Sequence, residues 1–336
     1  MERIAFIIGE TFLYWNTIIL MIAVVTAVCF FLFFFLMRKN NGIGAALLVP
    51  LAIVLSIVLS RLVHWYCRAD AYESLSAALT NYVGGSYALM GVFAGCALAA
   101  CLLRLVRAVD SLPNAFDCMA LAGGAGIAVG RLACFFTSAD RGMVIESIKT
   151  LPLVYPVSNA VTGVVEWRLA TFMLQAIATG IIFLGMSAFY LWPRKRKKQL
   201  RDGDTAMLFL VCYCASQVVL DSTRYDSLFM RSNGFISVVQ ILCAVALVLT
   251  MVVFSVRMVK ARGFKWWYIL LWVVYAAMVG GAGFMEYWVQ RHGDQALFSY
   301  SVMSACLLGL VAMTFLLRHL GLGKKAKKSL VESTNK

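Results

Sequence analysis

Ionisable and amide side chains recur at helical spacing inside strongly apolar stretches of this sequence. Arg61 and His64 are three residues apart, as are Asp221 and Arg224, and Gln217 precedes Asp221 by four. Residues three or four apart share one face of a helix, so each set can act on one ligand. A guanidinium group suits phosphate oxygens. These clusters therefore predict an anion-binding site, in which Asp221 neutralises Arg224 or a neighbouring cation.

Two further polar residues extend this set. Arg131 lies near the end of another apolar segment, and Gln240 lies near the start of a later one. A single arginine near a helix end often only reaches for the membrane interface. Placing an ionised side chain at mid-membrane costs at least about 2.5 kcal/mol of free energy. Because several such residues lie at one depth here, they favour a site for an anionic ligand, such as a phospholipid head group.

The elements that position these residues follow from composition. Of the 336 residues, 62% are apolar and 14% charged, against roughly 25% charged in a typical soluble domain, and the mean hydropathy is +0.84. Because lipid tolerates no exposed irregular backbone, we predict an all-α polytopic membrane helix bundle. About 20 residues cross a bilayer, which gives about nine transmembrane helices: 12–36, 44–66, 86–106, 115–136, 168–192, 205–223, 235–256, 266–288 and 298–317.

The basic residues predict the orientation of these segments. Of the 30 Lys and Arg residues, 20 lie in the connections and tail on one side and 8 on the other. The positive-inside rule then places the N-terminus outside and the C-terminus in the cytoplasm, with the polar residues named above at the level of the outer leaflet. Basic charge of this kind meets anionic lipid heads, so we expect membrane partners and no nucleic acid.

The connection 137–167 is far longer than the usual 4–6 residues. Such an outer arm can be a lid, a partner-binding segment or merely a solvated excursion. Cys67 and Cys134 both fall near the predicted outer surface, and their pairing stays open. Cys and His spacing predicts no metal site, and the apparent absence of repeats or broken spans disfavours a transporter.

The strongest motif lies at the end of the fourth segment. Gly130-Arg131-Leu132-Ala133-Cys134-Phe135-Phe136-Thr137 is similar to the Gly-Arg-x-Gly-Asn-Phe-x-Asn signature of prolipoprotein diacylglyceryl transferases. Asp117 and Gly142 stand where that family has Asp and Gly.

Other segments resemble the same family in the same order. Arg61 matches the Arg of its Gly-Arg-x-Gly-Tyr segment. Residues 213–224 resemble its Tyr-Gly-x-x-Arg-x-x-x-Glu-x-x-Arg run, with Asp221 for the acid and Arg224 for the last Arg, and 237–242 resemble Ser-x-Gly-Gln-x-Leu. The resemblance covers about residues 12–257.

Membership of that family would imply an enzyme of the bacterial cytoplasmic membrane. Such an enzyme moves a diacylglyceryl group from phosphatidylglycerol to a lipobox cysteine of a prolipoprotein signal segment, without a cofactor. Residues 1–257 would then form a seven-helix core that includes the outer arm. Residues 258–317 would add two membrane helices, and 318–336 a basic cytoplasmic tail.

The sequence also departs from the family pattern at several motif positions. Three ionisable residues of the pattern are missing, because Met90 stands in place of a His, Ala139 in place of a Glu and Gln217 in place of an Arg. Cys134 and Thr137 stand in place of the two Asn residues of the signature.

The candidate site follows from what is retained. Its proposed substrate-binding residues are Arg61, Arg131, Asp221, Arg224 and Gln240. His64 and Asp140 are candidate bases, because both should lie near the site. The alternative is a catalytically silent relative that binds phospholipid or lipoprotein signal segments without transfer.

Overall fold

The protein is described by a computed structural model that covers most of the chain. The described residues are 4–8, 11–38, 40–69, 72–80, 87–137, 139–145, 153–158, 163–195, 201–230, 233–292 and 295–322. The basic tail beyond residue 322 and parts of the arm, at 138, 146–152 and 159–162, lie outside them.

Helices dominate the described chain. They are α1 (Trp15–Met37), α2 (Gly42–Cys67), α3 (Leu75–Thr80), α4 (Leu89–Leu105), α5 (Leu112–Gly130), α6 (Thr171–Lys195), α7 (Asp204–Ser222), α8 (Val238–Arg262), α9 (Trp267–His292) and α10 (Ala296–Gly321), with a 3₁₀ helix, Arg131–Phe136, directly after α5. The strands are β1 (Ile4–Ile8), β2 (Thr11–Tyr14), β3 (Val154–Ser158), β4 (Val165–Leu169), β5 (Phe229–Met230) and β6 (Asn233–Ser237), and they form three two-stranded sheets.

The prediction of an all-α polytopic membrane bundle is confirmed. Eight of the described helices are long and apolar enough to cross a membrane, and α4, at 17 residues, is a shorter apolar helix. The chain is therefore a multi-pass membrane protein. Which side the termini occupy stays a prediction.

Three of the predicted segments begin too early for one physical reason. The predicted starts are residues 12, 168 and 235, whereas α1, α6 and α8 begin at Trp15, Thr171 and Val238. In each case the apolar residues before the helix belong to the second strand of a hairpin. Strand pairing satisfies backbone N–H and C=O groups before the chain becomes helical, and hydropathy does not distinguish the two structures.

Two compact units make up the chain. The first contains Met1–Thr137 and Leu228–Gly234, and the second contains Ser138–Ser227 and Phe235–Lys336. The division into a seven-helix core, two additional helices and a tail stays a prediction.

Small residues set the helix spacing in the first unit. A Cβ added to Gly91 of α4 would collide with the backbone of Ser60 on α2, and one on Gly95 would collide with that of Ser56. On α5, a Cβ at Gly126 would lie 2.8 Å from the Cβ of Ala27. Close backbone approach through small residues is the usual means of helix association in membranes. It holds α4 against α2 and α5 against α1.

A buried carboxylate joins three helices in the second unit. Asp204, the first residue of α7, lies 2.8 Å from Nη1 of Arg257 on α8 and 2.9 Å from Nε of Arg318 on α10. Asp204 is 2% exposed, so water cannot replace it as a partner for the two guanidinium groups. The pair of ion pairs fixes α10 to α7 and α8.

We expect Asp204→Asn to destabilise the protein, because it leaves two partly buried guanidinium groups without a counter-charge. Loss of one partner of a buried ion pair costs about 3–5 kcal/mol. Thermal unfolding of the detergent-solubilised protein measures the effect, and Asp110→Asn, at an exposed carboxylate, is the control. Equal unfolding midpoints for the two variants would contradict the assignment.

Candidate functional site

The guanidinium of Arg224 lies among three carboxylates just beyond the end of α7. Its Nη2 is 2.5 Å from Oδ1 of Asp140, its Nη1 is 3.3 Å from Oδ1 of Asp221, and its Nε is 3.0 Å from Oδ1 of Asp226. Asp221 is thus one partner of Arg224, as the sequence allowed. All three types of guanidinium nitrogen are engaged, so Arg224 holds the arm at Asp140 against the end of α7 and the turn that follows it.

Gln240 joins this network through the start of α8. The Ser237 hydroxyl donates to Oδ2 of Asp221 and also accepts from the backbone N–H of Gln240 at 3.1 Å. The side-chain carbonyl of Gln240 accepts from the backbone N–H of Ser237 at 3.1 Å, and the side-chain NH₂ of Gln240 donates to the backbone carbonyl of Val218 at 3.3 Å. This capping box links α8 to α7 and positions Asp221.

The segment around Asp140 is fixed by backbone contacts. Asp140 has a φ of +55°, a conformation that Asp tolerates better than most residues, and its carbonyl accepts from the Phe172 N–H at 3.1 Å. The neighbouring Arg141 is 1% exposed, and its guanidinium carbon lies 4.2 Å from the ring centre of Tyr155 and 4.4 Å from that of Phe172. Asp140 therefore has a fixed position beside Arg224.

Gly142 lies at a crowded crossing of the same segment. Its N–H donates to the Leu169 carbonyl at 2.8 Å. An added Cβ would lie 2.6 Å from Oγ1 of Thr171, 2.8 Å from Cβ of Leu169 and 3.1 Å from the Thr223 carbonyl oxygen. Only glycine lets the arm pass between α6, β4 and the end of α7 without displacing them.

Gln217 belongs to a different contact. Its carbonyl accepts from the Gln175 amide on α6 at 3.1 Å, and both side chains are buried. Gln217 thus connects α6 and α7 one helical turn before Asp221.

Arg61 and His64 meet around one tyrosine in the first unit. The Tyr72 hydroxyl lies 2.8 Å from Nδ1 of His64, and the Arg61 guanidinium carbon lies 5.8 Å from the centre of the Tyr72 ring and 5.2 Å from that of Tyr87. Arg61 is 1% exposed. Aromatic faces attract such a cation, and the arrangement holds an imidazole and a guanidinium at one end of α2.

Met90 lies on the helix that packs against this end of α2. The Ala88 N–H donates to the Ser60 carbonyl at 3.3 Å, and Met90 is the second residue of α4. His64 is one turn beyond Ser60. His64 and Met90 therefore occupy neighbouring turns of two facing helices.

Arg131 is the first residue of the 3₁₀ helix that follows α5, and it is half-buried. Phe136, the last residue of that helix, stacks on Trp15 with ring centres 6.0 Å apart. Cys134 lies between them and Thr137 follows, while Ala139 is exposed. Within the described chain, Cys67 and Cys134 form no disulfide bond.

Comparisons with known proteins identify the family of this chain. A family model for prolipoprotein diacylglyceryl transferase matches residues 3–256. A phosphatidylglycerol–prolipoprotein diacylglyceryl transferase of Streptococcus equi subsp. zooepidemicus (strain H70) is 22% identical over 251 residues, which cover 73% of this chain and 93% of the relative. The enzyme of the same name from Streptococcus sanguinis (strain SK36) is 23% identical over 208 residues, which cover 59% of this chain and 76% of the relative.

The chain belongs to the prolipoprotein diacylglyceryl transferase family. The family assignment made from the motifs is confirmed, and the matched region contains every candidate site residue. All of α9 and α10 lie beyond it, although α10 is ion-paired to α7 through Asp204.

The structure also corrects an interpretation of Asp117 that its position in the sequence favours. Asp117 is an acid that the resemblance shares with the family pattern. Its place after Ser111-Leu112-Pro113-Asn114 favours a first-turn acid that interacts with the helix dipole. That interpretation is wrong, because α5 has no acid in its first turn. Asp117 is instead fully buried, with Oδ2 4.0 Å from Nη2 of Arg38 at the end of α1.

Several residues of these networks escape sequence reasoning. Tyr72, Asp226 and Gln175 carry no motif, because their partners come from other turns or segments. Ser237 could have been found, since Ser-x-x-Gln before an apolar run is the signature of a capping box.

We expect Gly142→Ala to disturb the arm, because the new Cβ would overlap Thr171 and Leu169. Overpacking typically costs about 1–3 kcal/mol, measured by thermal unfolding. The matched control is Gly185→Ala in α6, where an added Cβ meets nothing within 4 Å, and which should be neutral or stabilising. A neutral Gly142→Ala would contradict the crowding described above.

Proposed function

We propose that this protein transfers a diacylglyceryl group from phosphatidylglycerol to the thiol of a lipobox cysteine. The match to the transferase family over residues 3–256 carries the proposal. The retained Arg131, Asp221 and Arg224 support it, and no cofactor is required.

The reaction needs a thiolate and a stabilised phosphate. A base takes the thiol proton, and the sulfur attacks the glyceryl carbon that is bonded to the phosphate oxygen. The carbon–sulfur bond forms as the carbon–oxygen bond breaks, the electron pair stays on the phosphate oxygen, and glycerol phosphate leaves with one proton. The thiolate is the nucleophile, and positioned donors stabilise charge that develops on the phosphate.

Arg131 and Arg61 are the proposed phosphate-binding residues. Arg61 is buried and held between aromatic rings, so its orientation is fixed before substrate binds. Arg224 was also predicted to hold the phosphate. Its three carboxylate partners favour a positioning role, in which Arg224, Asp221 and Gln240 fix the segment around Asp140.

His64 is the proposed base. Its Nδ1 contacts the Tyr72 hydroxyl, which leaves Nε2 for proton transfer and fixes the ring orientation. Asp140 is the second candidate, but its ion pair with Arg224 stabilises the ionised form and weakens it as a base. His64 lies on α2, whereas the family His would lie on α4 at Met90, so we propose that the imidazole has moved to the facing helix.

The proposed site faces the outer leaflet of the bacterial cytoplasmic membrane. That location follows from the 20-to-8 distribution of basic residues and the positive-inside rule. There the site meets phosphatidylglycerol and the signal segment of an exported prolipoprotein.

A direct assay tests the proposal. Purified protein in nanodiscs of phosphatidylglycerol is incubated with a lipobox peptide, and mass spectrometry detects the thioether-linked diacylglyceryl peptide. Absence of this product from a folded protein would contradict transfer.

We expect His64→Ala to lower the transfer rate by about 10²–10⁴-fold, the usual contribution of a general base. The control is His319→Ala, at an exposed imidazole near the end of α10, which should leave the rate unchanged. Asp140→Asn tests the second candidate without straining the positive φ. If neither His64→Ala nor Asp140→Asn slows transfer, the assignment of the base is wrong.

The second candidate function is a silent relative that binds phospholipid or signal segments without transfer. It is favoured by Met90 and Gln217, which stand where the family has His and Arg. Lipid binding without any thioether product would support it against the transferase.

In both cases we expect Arg131→Ala to weaken binding of phosphatidylglycerol by about 10-fold or more, because a charged hydrogen bond to phosphate contributes roughly 1.5–3 kcal/mol. Arg131→Lys keeps the charge and should lose less. Native mass spectrometry measures both variants. Unchanged binding by Arg131→Ala would exclude Arg131 as a phosphate ligand.

A further inference from the structure

Three arginines gather at the end of the second unit where α7 begins. Nε of Arg318 on α10 lies 2.9 Å from Oδ2 of Asp204, and Nη1 of Arg257 on α8 lies 2.8 Å from Oδ1 of the same carboxylate. Arg262, the last residue of α8, donates from its Nε to the backbone carbonyl of Leu320 at 2.6 Å. The ends of α8 and α10 therefore bring three guanidinium groups together around one carboxylate.

Arg262 and Arg318 are both anchored through Nε. Within the part of the chain that the structure describes, the Nη groups of these two side chains have no acceptor. The Arg318 guanidinium also lies over the ring of Phe189, with its carbon 4.8 Å from the ring centre. A guanidinium carries five N–H donors in a rigid fork, so each side chain is held in place and still presents the donors of its Nη groups.

The charge at this end of the unit favours an anionic ligand. In residues 201–204, 257–265 and 318, six Lys and Arg residues stand against two Asp residues, and Asp204 can neutralise only one of the two arginines that share it. The opposite end of α7 differs, because three carboxylates surround Arg224 there. The two clusters are about 27 Å apart along the helix, so they cannot hold the same phosphate.

Exposed aromatic residues indicate the depth of the arginines in the membrane. Trp266 is 82% exposed, and Phe264, Trp267 and, near the end of α6, Trp192 are exposed as well. Tryptophan is enriched at the boundary between lipid and water. Arg262 is two residues from Phe264, so its Nη groups lie at the level of lipid head groups.

The surface next to the arginines suits acyl chains. Val252 and Val256 on α8 and Leu316 on α10 are exposed apolar residues that precede the basic ends of their helices. A lipid whose phosphate contacts the arginines therefore has apolar helix surface along which its chains can lie.

We propose that Arg262 and Arg318 bind the phosphate of an anionic phospholipid. Guanidinium groups suit phosphate oxygens, and basic pockets between membrane helices bind anionic head groups. Phosphatidylcholine also has a phosphate, but the surplus of arginine and lysine repels its ammonium group. The site therefore selects lipids with a net negative charge.

This site belongs to the part of the chain that follows the family match. Arg257, Arg262 and Arg318 all lie beyond residue 256, where the match ends. A bound phosphate would join the ends of α8 and α10 and so supplement the ion pairs of Asp204. The inference is independent of the proposed transfer reaction and gives the additional helix α10 a function of its own.

Hydrogen exchange tests the site at its own location. The full-length protein is reconstituted in nanodiscs of phosphatidylcholine or of phosphatidylglycerol, and mass spectrometry follows the amides of residues 257–262 and 316–322. A ligand that binds the folded state stabilises it against opening. We expect exchange there to be about 10-fold slower in phosphatidylglycerol, because a hydrogen bond to a charged group contributes at least the equivalent free energy.

Arg262→Gln removes one phosphate ligand at an exposed position and leaves both ion pairs of Asp204 in place. It should reduce the protection by phosphatidylglycerol to about threefold or less, because a charge-assisted contact is lost. Arg318→Gln should have the same effect in a folded protein. The matched control is Arg291→Gln, an exposed arginine near the end of α9, which should keep the full protection.

Three results would contradict the site. They are equal exchange in the two lipids, undiminished protection in folded Arg262→Gln, and the same protection when inorganic phosphate is added to phosphatidylcholine nanodiscs, which would assign the site to free phosphate. The measured amides lie far from the Arg224 network, and no acceptor peptide is present. Failure of the transfer reaction therefore leaves this inference intact, and failure of this inference leaves the transferase intact.

Discussion

Charge inside an apolar bundle must be paired, and this constraint organises the second unit. Arg224 and Asp204 are its clearest cases. Around Arg224, three carboxylates, one from the arm and two from the end of α7 and its following turn, converge on one guanidinium, whereas Asp204 is one carboxylate shared by two arginines. An unpaired ion at either place would cost several kcal/mol. The chain can therefore cross between α6, α7 and α8 only along paths that bring these partners together, and the geometry around Asp140 follows from that.

In the first unit, close helix packing takes the place of ion pairing. Gly91 and Gly95 let α4 approach α2 until their backbones touch, and this contact places Met90 one turn from His64. The start of α4 thus has the glycines that close packing requires, although Met90 stands where the resemblance implies a histidine. Packing and chemistry are separable here, because the glycines determine the helix distance and the histidine does not contribute to it. This separation is what would allow an imidazole on α2 to act where one on α4 is absent.

The sequence predicts the helices well and the contacts between them poorly. Hydropathy finds the spans because each is nearly uniformly apolar, but it cannot tell β2 from the first turn of α1, since both are apolar. Spacing places Asp221 and Arg224 on one face, yet it does not show Asp140 and Asp226 joining them from outside the helix. Tyr72 is beyond prediction for the same reason, because its partner His64 is reached by a turn of the chain that no periodicity describes. Asp117 shows the reverse error. An interaction with the dipole of its own helix would have explained this acid locally, but the residue is buried and lies beside Arg38 at the end of α1.

The two replacements that the resemblance implies at positions 90 and 217 differ in their physical consequence. At position 90 a methionine replaces a group that could exchange protons, and nothing on α4 restores that capacity. At position 217 an amide replaces a guanidinium, and a second amide, Gln175, faces it. The two amides share one buried hydrogen bond between α6 and α7, so a neutral contact stands where the resemblance implies a cation. Two neutral amides carry no charge with which to hold a phosphate, so the proposed binding of phosphate has to depend on Arg61 and Arg131.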